Sequence, residues 1–352
     1  MTRYCRQEAL PEVGTQGQEK LRQGAVLCVG VGGLGSPALL YLAAAGVGKI
    51  GIIDFDAVDE SNLQRQILFT EADIGRPKTE AAAKRLNALN SQCHIQTYQS
   101  QLDAQNAEHI FNKYDVIIDG SDNFATRFLV NDAAVKCGKP LVYGAIQGFD
   151  GQVAVFDGRK GSCYRCLHPK QPEAPIRNCA EAGVIGSVAG FVGVTQAQQA
   201  IYLLLEESGG CKALRSTLWV LNSKTMSSRT FNVPKNKNCP VCSLTPENIT
   251  LTFTAPFCQN VTEVIPDDLK NLPSDTLFID VREEDELADG MIKNAHHLPL
   301  SALIKTAPSL PKNRCYVAYC QSGHRSLKAA SILEEAGFKP VYSLRGGYKG
   351  RL

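Results

Sequence analysis

The segment Gly30-Val31-Gly32-Gly33-Leu34-Gly35-Ser36-Pro37 constrains the fold of this chain more than any other, because it stands between the apolar run Val26–Val29 and a helical pattern. A strand, a glycine turn and a helix N-terminus in this order make an anion site. Glycines let the backbone approach phosphates, and the helix end presents unpaired N–H donors carrying a partial positive charge. Ser36 reads as the N-cap and Pro37 as the first helical residue, which aims the free N–H groups at the turn. Asp54 follows Gly35 by 19 residues at the end of the next apolar run, where a carboxylate can accept from ribose hydroxyls. On these residues alone a dinucleotide and a nucleoside triphosphate are served equally, and a glycine turn without a ligand is the plain alternative.

From Ala25 to about Gly144 short apolar runs alternate with longer helical ones. The runs are Val26–Val29, Ile50–Asp54, Val116–Asp119 and Leu141–Tyr143, with helices opening at Ser36-Pro37, from Lys78 and after Asp122. This βαβ rhythm predicts an α/β chain that begins with a Rossmann-like nucleotide-binding domain built on a mostly parallel sheet. Returning strands are expected around Leu218–Leu221 and Arg229–Val233, and prolines between Pro234 and Pro256 mark an exit segment. Beyond it, Thr276–Val281, Cys315–Tyr319 and Pro340–Leu344 alternate with helical stretches and predict a second, small α/β domain. The expected boundaries are 1–245, a linker over 246–256, and 257–352.

Charge excludes some partners. With 37 basic and 35 acidic side chains the net charge is +2, which offers neither a nucleic-acid footprint nor a polybasic strip for a membrane. Gly183 to Leu205 lacks charged residues over a membrane-spanning length, but it carries Gln196, Gln198 and Gln199. Burying three amides in hydrocarbon is costly, so this segment is expected as a core or subunit-interface helix. The first residues have no apolar signal-peptide core, so the thirteen cysteines point to the cytoplasm, where metal binding or catalysis is a commoner use of cysteine than disulfides.

Downstream of the glycine turn lie Ser61-Asn62-Leu63-Gln64-Arg65-Gln66, Lys78, and Ser121-Asp122-Asn123 with Arg127. Cations and amides near a phosphate loop suit a triphosphate, and Asp122 at a strand end can hold Mg²⁺ through oxygen. Taken singly, Arg65 and Lys78 also read as solvated charges and Asp122 as a helix cap. Together with Gly-x-Gly-Gly-Leu-Gly, Asp54-Phe-Asp-x-Val, Gly75-x-Pro-Lys78 and Cys163-Tyr-Arg-Cys166, these motifs resemble the MoeB/ThiF (HesA) family of ubiquitin-activating-like adenylyltransferases over residues 1 to about 250. The resemblance implies ATP-binding and adenylation roles for Gly32, Gly33, Leu34, Gly35, Asp54, Asn62, Arg65, Gln66, Lys78, Asp122 and Asn123. It also implies that Arg6 reaches the ATP of the other subunit of a homodimer. The chemistry implied is attack by the C-terminal glycine carboxylate of a ubiquitin-like sulfur carrier, ending in Gly-Gly, on the α-phosphate of ATP. A nicotinamide-dependent oxidoreductase with a regulatory C-terminal domain is the rival reading, although hydride transfer has no need of Arg65, Lys78 or Asp122.

Cys163-x-x-Cys166 and Cys239-x-x-Cys242 supply four thiolates in two pairs, the pattern of a closed tetrahedral Zn²⁺ site that braces rather than catalyses. Four independent thiols are the alternative. Cys179, in Pro175-Ile-Arg-Asn-Cys179, reads first as an unreactive loop cysteine. The family resemblance implies a secondary catalytic role for it, as a thiol that links covalently to the activated carrier or exchanges sulfur with it.

Cys320 follows the strand Tyr316–Tyr319 and precedes a helix beginning near Ser326. Such a loop gathers N–H groups at a helix end and suits a thiolate or persulfide anion, with Arg325 as an added cation. In a cysteine phosphatase the arginine stands one residue further on, so this pocket is expected to fit sulfur better than phosphate. With Asp280-Val-Arg282-Glu283, Gly323-His-Arg-Ser and Leu344-Arg-Gly-Gly347, the loop resembles a rhodanese domain over about 257–352, Cys320 being its persulfide carrier. The two resemblances together imply adenylation of a sulfur carrier followed by delivery of sulfur to give a thiocarboxylate, for molybdopterin, thiamine, cysteine or thiolated tRNA. The implied sulfur donor is a cysteine desulfurase or thiosulfate.

Overall fold

The computed structural model describes residues 3–171, 183–205, 210–253, 261–306, 310–321, 323–338 and 340–348. The chain divides into two compact units, Met1–Phe253 and Thr254–Leu352.

The first unit is built on one eight-stranded sheet: β1 Ala25–Val29, β2 Lys49–Ile53, β3 His94–Tyr98, β4 Val116–Asp119, β5 Leu141–Gln147, β6 Asp150–Phe156, β7 Thr217–Asn222 and β8 Ser227–Asn232. Their order across the sheet is β3-β2-β1-β4-β5-β6-β7-β8. The first five neighbours pair in parallel and the last three are added antiparallel. Every residue of β1 and β4 is buried, as expected of parallel strands covered on both faces and drawn from runs rich in Val and Ile. Because β2 and β4 flank β1 on opposite sides, the chain reverses direction across the sheet at the carboxyl end of β1, the place where open α/β sheets bind ligands. The glycine turn leaves β1 at that point.

The uncharged segment forms the helix Gly186–Leu205. By length and composition it could cross a membrane, yet 56% of its apolar 18-residue stretch is buried within the unit, with Val188, Ala189 and Val192 fully covered. Burial of each such valine contributes about 1.5–3 kcal/mol. Two of its three amides are used internally. The Gln196 Nε2 donates to the Asp119 carbonyl at 2.7 Å and the Val142 carbonyl at 3.2 Å, and the Leu214 N–H donates to Gln199 Oε1 at 2.7 Å. Gln198 is exposed. The helix therefore ties the carboxyl end of β4 to the first residues of β5.

Two details differ from the sequence expectations. The helix after the glycine turn runs Gly35–Ala45, with Leu34 in the cap position and no side-chain cap. Ser36 lies inside it, fully buried, with its hydroxyl turned to the Val31 carbonyl at 3.4 Å. The first helical N–H groups are thus left free of a competing side-chain acceptor. Over the stretch expected as linker, Ile249 is buried and Leu251 and Phe253 pack on the first unit's core, while the Ile249 carbonyl accepts from Lys136 Nζ at 3.2 Å.

The second unit holds β9 Thr262–Val264, β10 Leu277–Asp280, β11 His296–His297, β12 Tyr316–Tyr319 and β13 Val341–Leu344 in the order β11-β10-β12-β13-β9, all parallel. Its core gathers Ile279, Tyr316, Ala318, Leu333 and Phe338. Asp280 and Arg282, both 0% exposed, form a buried ion pair at 2.7 Å beside the carboxyl end of β12. A pair buried this deeply is tolerable because its remaining donors are satisfied: Arg282 also donates to the Glu286 and Gly290 carbonyls at 3.1 and 2.6 Å.

Candidate functional site

Backbone packing fixes the glycine turn. Gly35 sits so close to Gly30 that a methyl group on it would fall on the Gly30 carbonyl oxygen and 3.2 Å from Cys28 Sγ. Across the turn the Val31 N–H donates to Asp54 Oδ2 at 2.8 Å, while the Asp56 N–H donates to Asp54 Oδ1 at 2.9 Å. The carboxylate at the end of β2 is therefore locked against the turn, with lone pairs left over for ligand hydroxyls. Burial pushes the Asp54 carboxyl above the usual carboxylate range, and the nearby Lys78 charge opposes that rise.

Lys78 opens the helix Lys78–Leu89 and is 5% exposed. Its ammonium meets Asp56 Oδ2 at 3.0 Å, so a phosphate would compete with Asp56 for it. The Gln66 side chain is buried beside Gly32, and the aliphatic stem of Arg65 lies 3.4 Å from where a Cβ on Gly33 would be. Arg65 donates to the Ser61 carbonyl at 3.0 Å. Asn62 Oδ1 accepts the Asp59 N–H at 3.2 Å, holding the turn that presents Arg65 and Gln66.

On the other side of β1, Asp119 ends β4 with Oδ1 accepting from the Ser121 N–H at 2.9 Å and hydroxyl at 2.6 Å. Burial raises its carboxyl above the ordinary range, with Arg127 pulling the other way. Asp122 is exposed on the following turn. Asn123 caps the next helix, its Oδ1 accepting from the Thr126 N–H at 2.9 Å, so the cap is Asn123 and not Asp122. Three acceptors around the turn, Gln66 Oε1, Asp119 Oδ2 and Gln196 Oε1, are buried without a hydrogen-bond partner among the described residues. Unmet acceptors beside a nest of N–H donors fit a ligand offering both hydroxyl or amino groups and phosphate, as a nucleotide does. Arg6 stands exposed on the short helix Cys5–Glu8.

The cysteine pairs converge. Sγ distances are 3.9 Å for Cys163–Cys166, 3.5 Å for Cys163–Cys239 and 3.5 Å for Cys166–Cys242, and all four sulfurs lie within 4.8 Å of one another. Zn–S bonds near 2.3 Å in a tetrahedron require S···S edges of about 3.8 Å, so the cluster has the size of a zinc site. It pins Cys239 and Cys242, at the start of the exit segment, to the short helix Tyr164–Leu167. Cys179 lies outside the described residues.

In the second unit Cys320 is 1% exposed at the end of β12. Its Sγ accepts the Gly323 N–H at 3.2 Å and lies 3.8 Å from the Ser326 hydroxyl at the start of the helix His324–Glu335. Among the described residues one loop N–H, that of Gly323, thus reaches the sulfur. Arg325 is differently disposed from the simple added cation: its guanidinium grips the Glu286 carboxylate with both nitrogens, the second at 2.6 Å. Sequence reading passes over Glu286, because nothing local links it to a residue 39 positions away. Asp56 is missed for a similar reason, since its partner Lys78 stands 22 positions away at the start of a helix.

The ThiF family matches residues 4–241, and the rhodanese-like domain matches residues 265–351. A sulfur carrier protein adenylyltransferase of Thermus thermophilus is 47% identical over 264 residues, covering 73% of this chain and 96% of that protein. A probable adenylyltransferase/sulfurtransferase MoeZ of Mycobacterium tuberculosis is 40% identical over 369 aligned positions, covering 99% of this chain and 91% of its own length. Among solved structures, E. coli MccB with ATP superposes with a TM-score of 0.60 at 22% identity, over 69% of this chain and 75% of that one. This last likeness concerns the fold.

Proposed function

The chain belongs to the ThiF family and carries a rhodanese-like domain, and on that premise we propose that it uses ATP to adenylate the C-terminal glycine of a ubiquitin-like sulfur carrier and then supplies sulfur from Cys320. The relatives named above are adenylyltransferases, one of them also a sulfurtransferase, and they give the nicotinamide-dependent alternative no support. The observation that carries the reading is the gathering of Asp54, Gln66 and an uncapped helix end at one glycine turn, with Lys78 on the neighbouring Asp56, in a chain that also sets a backbone N–H on the Cys320 sulfur.

In this reading phosphates rest on the turn and the Gly35 helix end, Lys78 leaves Asp56 to meet them, Arg65 adds a second cation, and Asp54 holds the ribose. Asp122 would hold Mg²⁺, which neutralises phosphate charge. The carrier carboxylate attacks the α-phosphorus and pyrophosphate leaves, a step that depends on positioning and charge neutralisation more than on proton transfer. The outer sulfur of the Cys320 persulfide then displaces AMP from the acyl-adenylate to give an acyl disulfide, and an external dithiol reductant cleaves its S–S bond, freeing the thiocarboxylate and the Cys320 thiol while the reductant becomes a disulfide; Cys179 is the candidate for a covalent link to the activated carrier or for sulfur exchange with it. Cys163, Cys166, Cys239 and Cys242 would hold Zn²⁺ as a brace, and Arg6 would act across a homodimer. The setting we infer is the cytoplasm, where a cysteine-rich chain holds its thiols reduced for metal binding and sulfur chemistry.

The test is carrier-dependent ATP–pyrophosphate exchange. Asp122→Ala should abolish it while Cys320 still accepts sulfur; normal exchange in this variant contradicts the assignment.

A further inference from the structure

We propose that Tyr164, between the first two zinc-binding cysteines, is a positioning residue for adenylation: through Arg127 it sets the turn that carries Asp122, so that the zinc knuckle and the magnesium end of the nucleotide pocket are coupled. This rests on the readings of the four cysteines as a zinc site and of Asp122 as a Mg²⁺ ligand.

The two residues enclosed by Cys163 and Cys166 each grip one pair of side chains on the helix Phe124–Lys136. Side chains four apart on a helix lie one above the other, and the knuckle uses two such pairs. Arg127 and Asn131 take Tyr164: its N–H donates to Asn131 Oδ1 at 2.7 Å, and the Arg127 guanidinium faces its hydroxyl as a hydrogen-bond donor. Phe128 and Asp132 take Arg165: its guanidinium lies 4.6 Å over the Phe128 ring and forks onto both Asp132 oxygens at 2.7 Å. Asn131 Nδ2 joins the pairs by donating to Asp132 Oδ1 at 2.9 Å. All four helix residues are buried, and the covered Tyr164 ring packs 5.2 Å from both Phe128 and Tyr143. Pinning the exit segment requires the sulfurs alone. The grip on this helix is a separate piece of construction.

The other end of the same helix holds the nucleotide turn. Asn123 is its cap, and Arg127 reaches back to donate to the Ser121 carbonyl at 3.2 Å. Asp122 stands between these two anchored residues. The Arg127 charge also acts on the Asp119 carboxyl at the end of β4. One buried guanidinium therefore meets the knuckle, the turn and the strand end. Cys163 and Cys166, when they share a metal ion, fix Tyr164 from both sides and with it the hydroxyl that Arg127 faces. A knuckle that loosens lets the guanidinium swing, and the Ser121–Asn123 backbone swings with it.

The test uses the full chain with zinc retained and two readouts. Tyr164→Phe keeps the ring and the backbone N–H and removes the hydroxyl, so zinc content and sulfur loading of Cys320 should stay at wild-type values. The Mg·ATP concentration at half-maximal carrier-dependent exchange should rise by about two- to tenfold, the scale of one hydrogen bond, with kcat little changed. Coupling between two sites is reciprocal. Mg·ATP should therefore slow the transfer of zinc from wild-type protein to a chromophoric chelator, and Tyr164→Phe saturated with Mg·ATP should lose most of that protection. General stabilisation by bound nucleotide would protect both proteins equally. An unchanged half-saturation, a fall in kcat alone, equal protection in the two proteins, or no protection in the wild type overturns the proposal. Wild-type protein that holds no zinc, or that does not exchange, overturns the readings beneath it.

Discussion

Replacing Gly35 with alanine tests the nucleotide turn through its tightest contact. The added methyl carbon would fall on the Gly30 carbonyl oxygen and 3.2 Å from Cys28 Sγ. Comfortable heavy-atom contacts begin at about 3.5 Å, so turn and helix must separate by on the order of 1 Å. Overpacking of this kind costs about 1–3 kcal/mol, which for a unit of this size lowers Tm by roughly 2–10 °C. The functional loss should be larger than the stability loss. Shifting a positioning element by about 1 Å is worth on the order of 10²-fold in rate, because the N–H groups of the helix end and the Val31–Asp54 bond move with it. The assay is carrier-dependent ATP–pyrophosphate exchange below Tm, with sulfur loading of Cys320 in the same preparation as the internal control. Exchange at the wild-type level in a protein with a lowered Tm would refute the reasoning, since the turn would then have moved without consequence for the phosphates.

Further predictions follow from the same geometry. Protein purified without chelator should contain one zinc per chain, and Cys239→Ser should release it and lower Tm, because metal binding contributes to folding free energy when a site joins distant segments; metal analysis without zinc would count against the cluster's role. Mixing inactive Arg6→Ala with inactive Asp122→Ala should restore part of the exchange, since one site of a mixed dimer keeps both residues; no recovery in demonstrated heterodimers would place Arg6 within its own subunit or outside the reaction. The Glu286 carboxyl is held below its ordinary value of 4.5 by Arg325, so its contribution to stability is present above that pH and lost as pH falls through the lowered folded value. Glu286→Gln should flatten this part of the acid limb of a Tm-against-pH curve, and an unaltered limb would mean that the pair adds no stability.

Much of the fold could be read from the chain because local pattern and tertiary role agree in its first half. β1, β2, β4 and β5 are apolar runs bounded by turns, and the runs named in the sequence coincide with them. β3 was not legible: His94–Tyr98 is half-covered and polar in alternation, and it becomes a strand by pairing with β2. β8 is exposed along its whole length, so its register comes from β7 and the turn between them. Ser36 misled because capping preference is an average, and here the helix end lies inside a turn packed too tightly for a side-chain cap. In the site, the residues that touch backbone or sulfur within their own motif, such as Asp54 and Cys320, announce themselves by spacing. The groups that tune them do not. Asp56 against Lys78, Gln196 beneath Asp119 and Glu286 on Arg325 meet only through sheet order and loop packing, neither of which is local in sequence.

The central claim is that one chain both activates a carrier and gives it sulfur. It is tested most directly by incubating the protein with ATP, a sulfur donor and a carrier ending in Gly-Gly, and reading the carrier by intact mass. Wild-type protein should replace one terminal oxygen of the carrier by sulfur in an ATP-dependent way. Cys320→Ala should stop at the AMP-linked carrier, because the residues around the glycine turn are untouched. Thiocarboxylate formed by Cys320→Ala at the wild-type rate from the same donor would contradict the account and leave an adenylyltransferase whose sulfur comes from elsewhere.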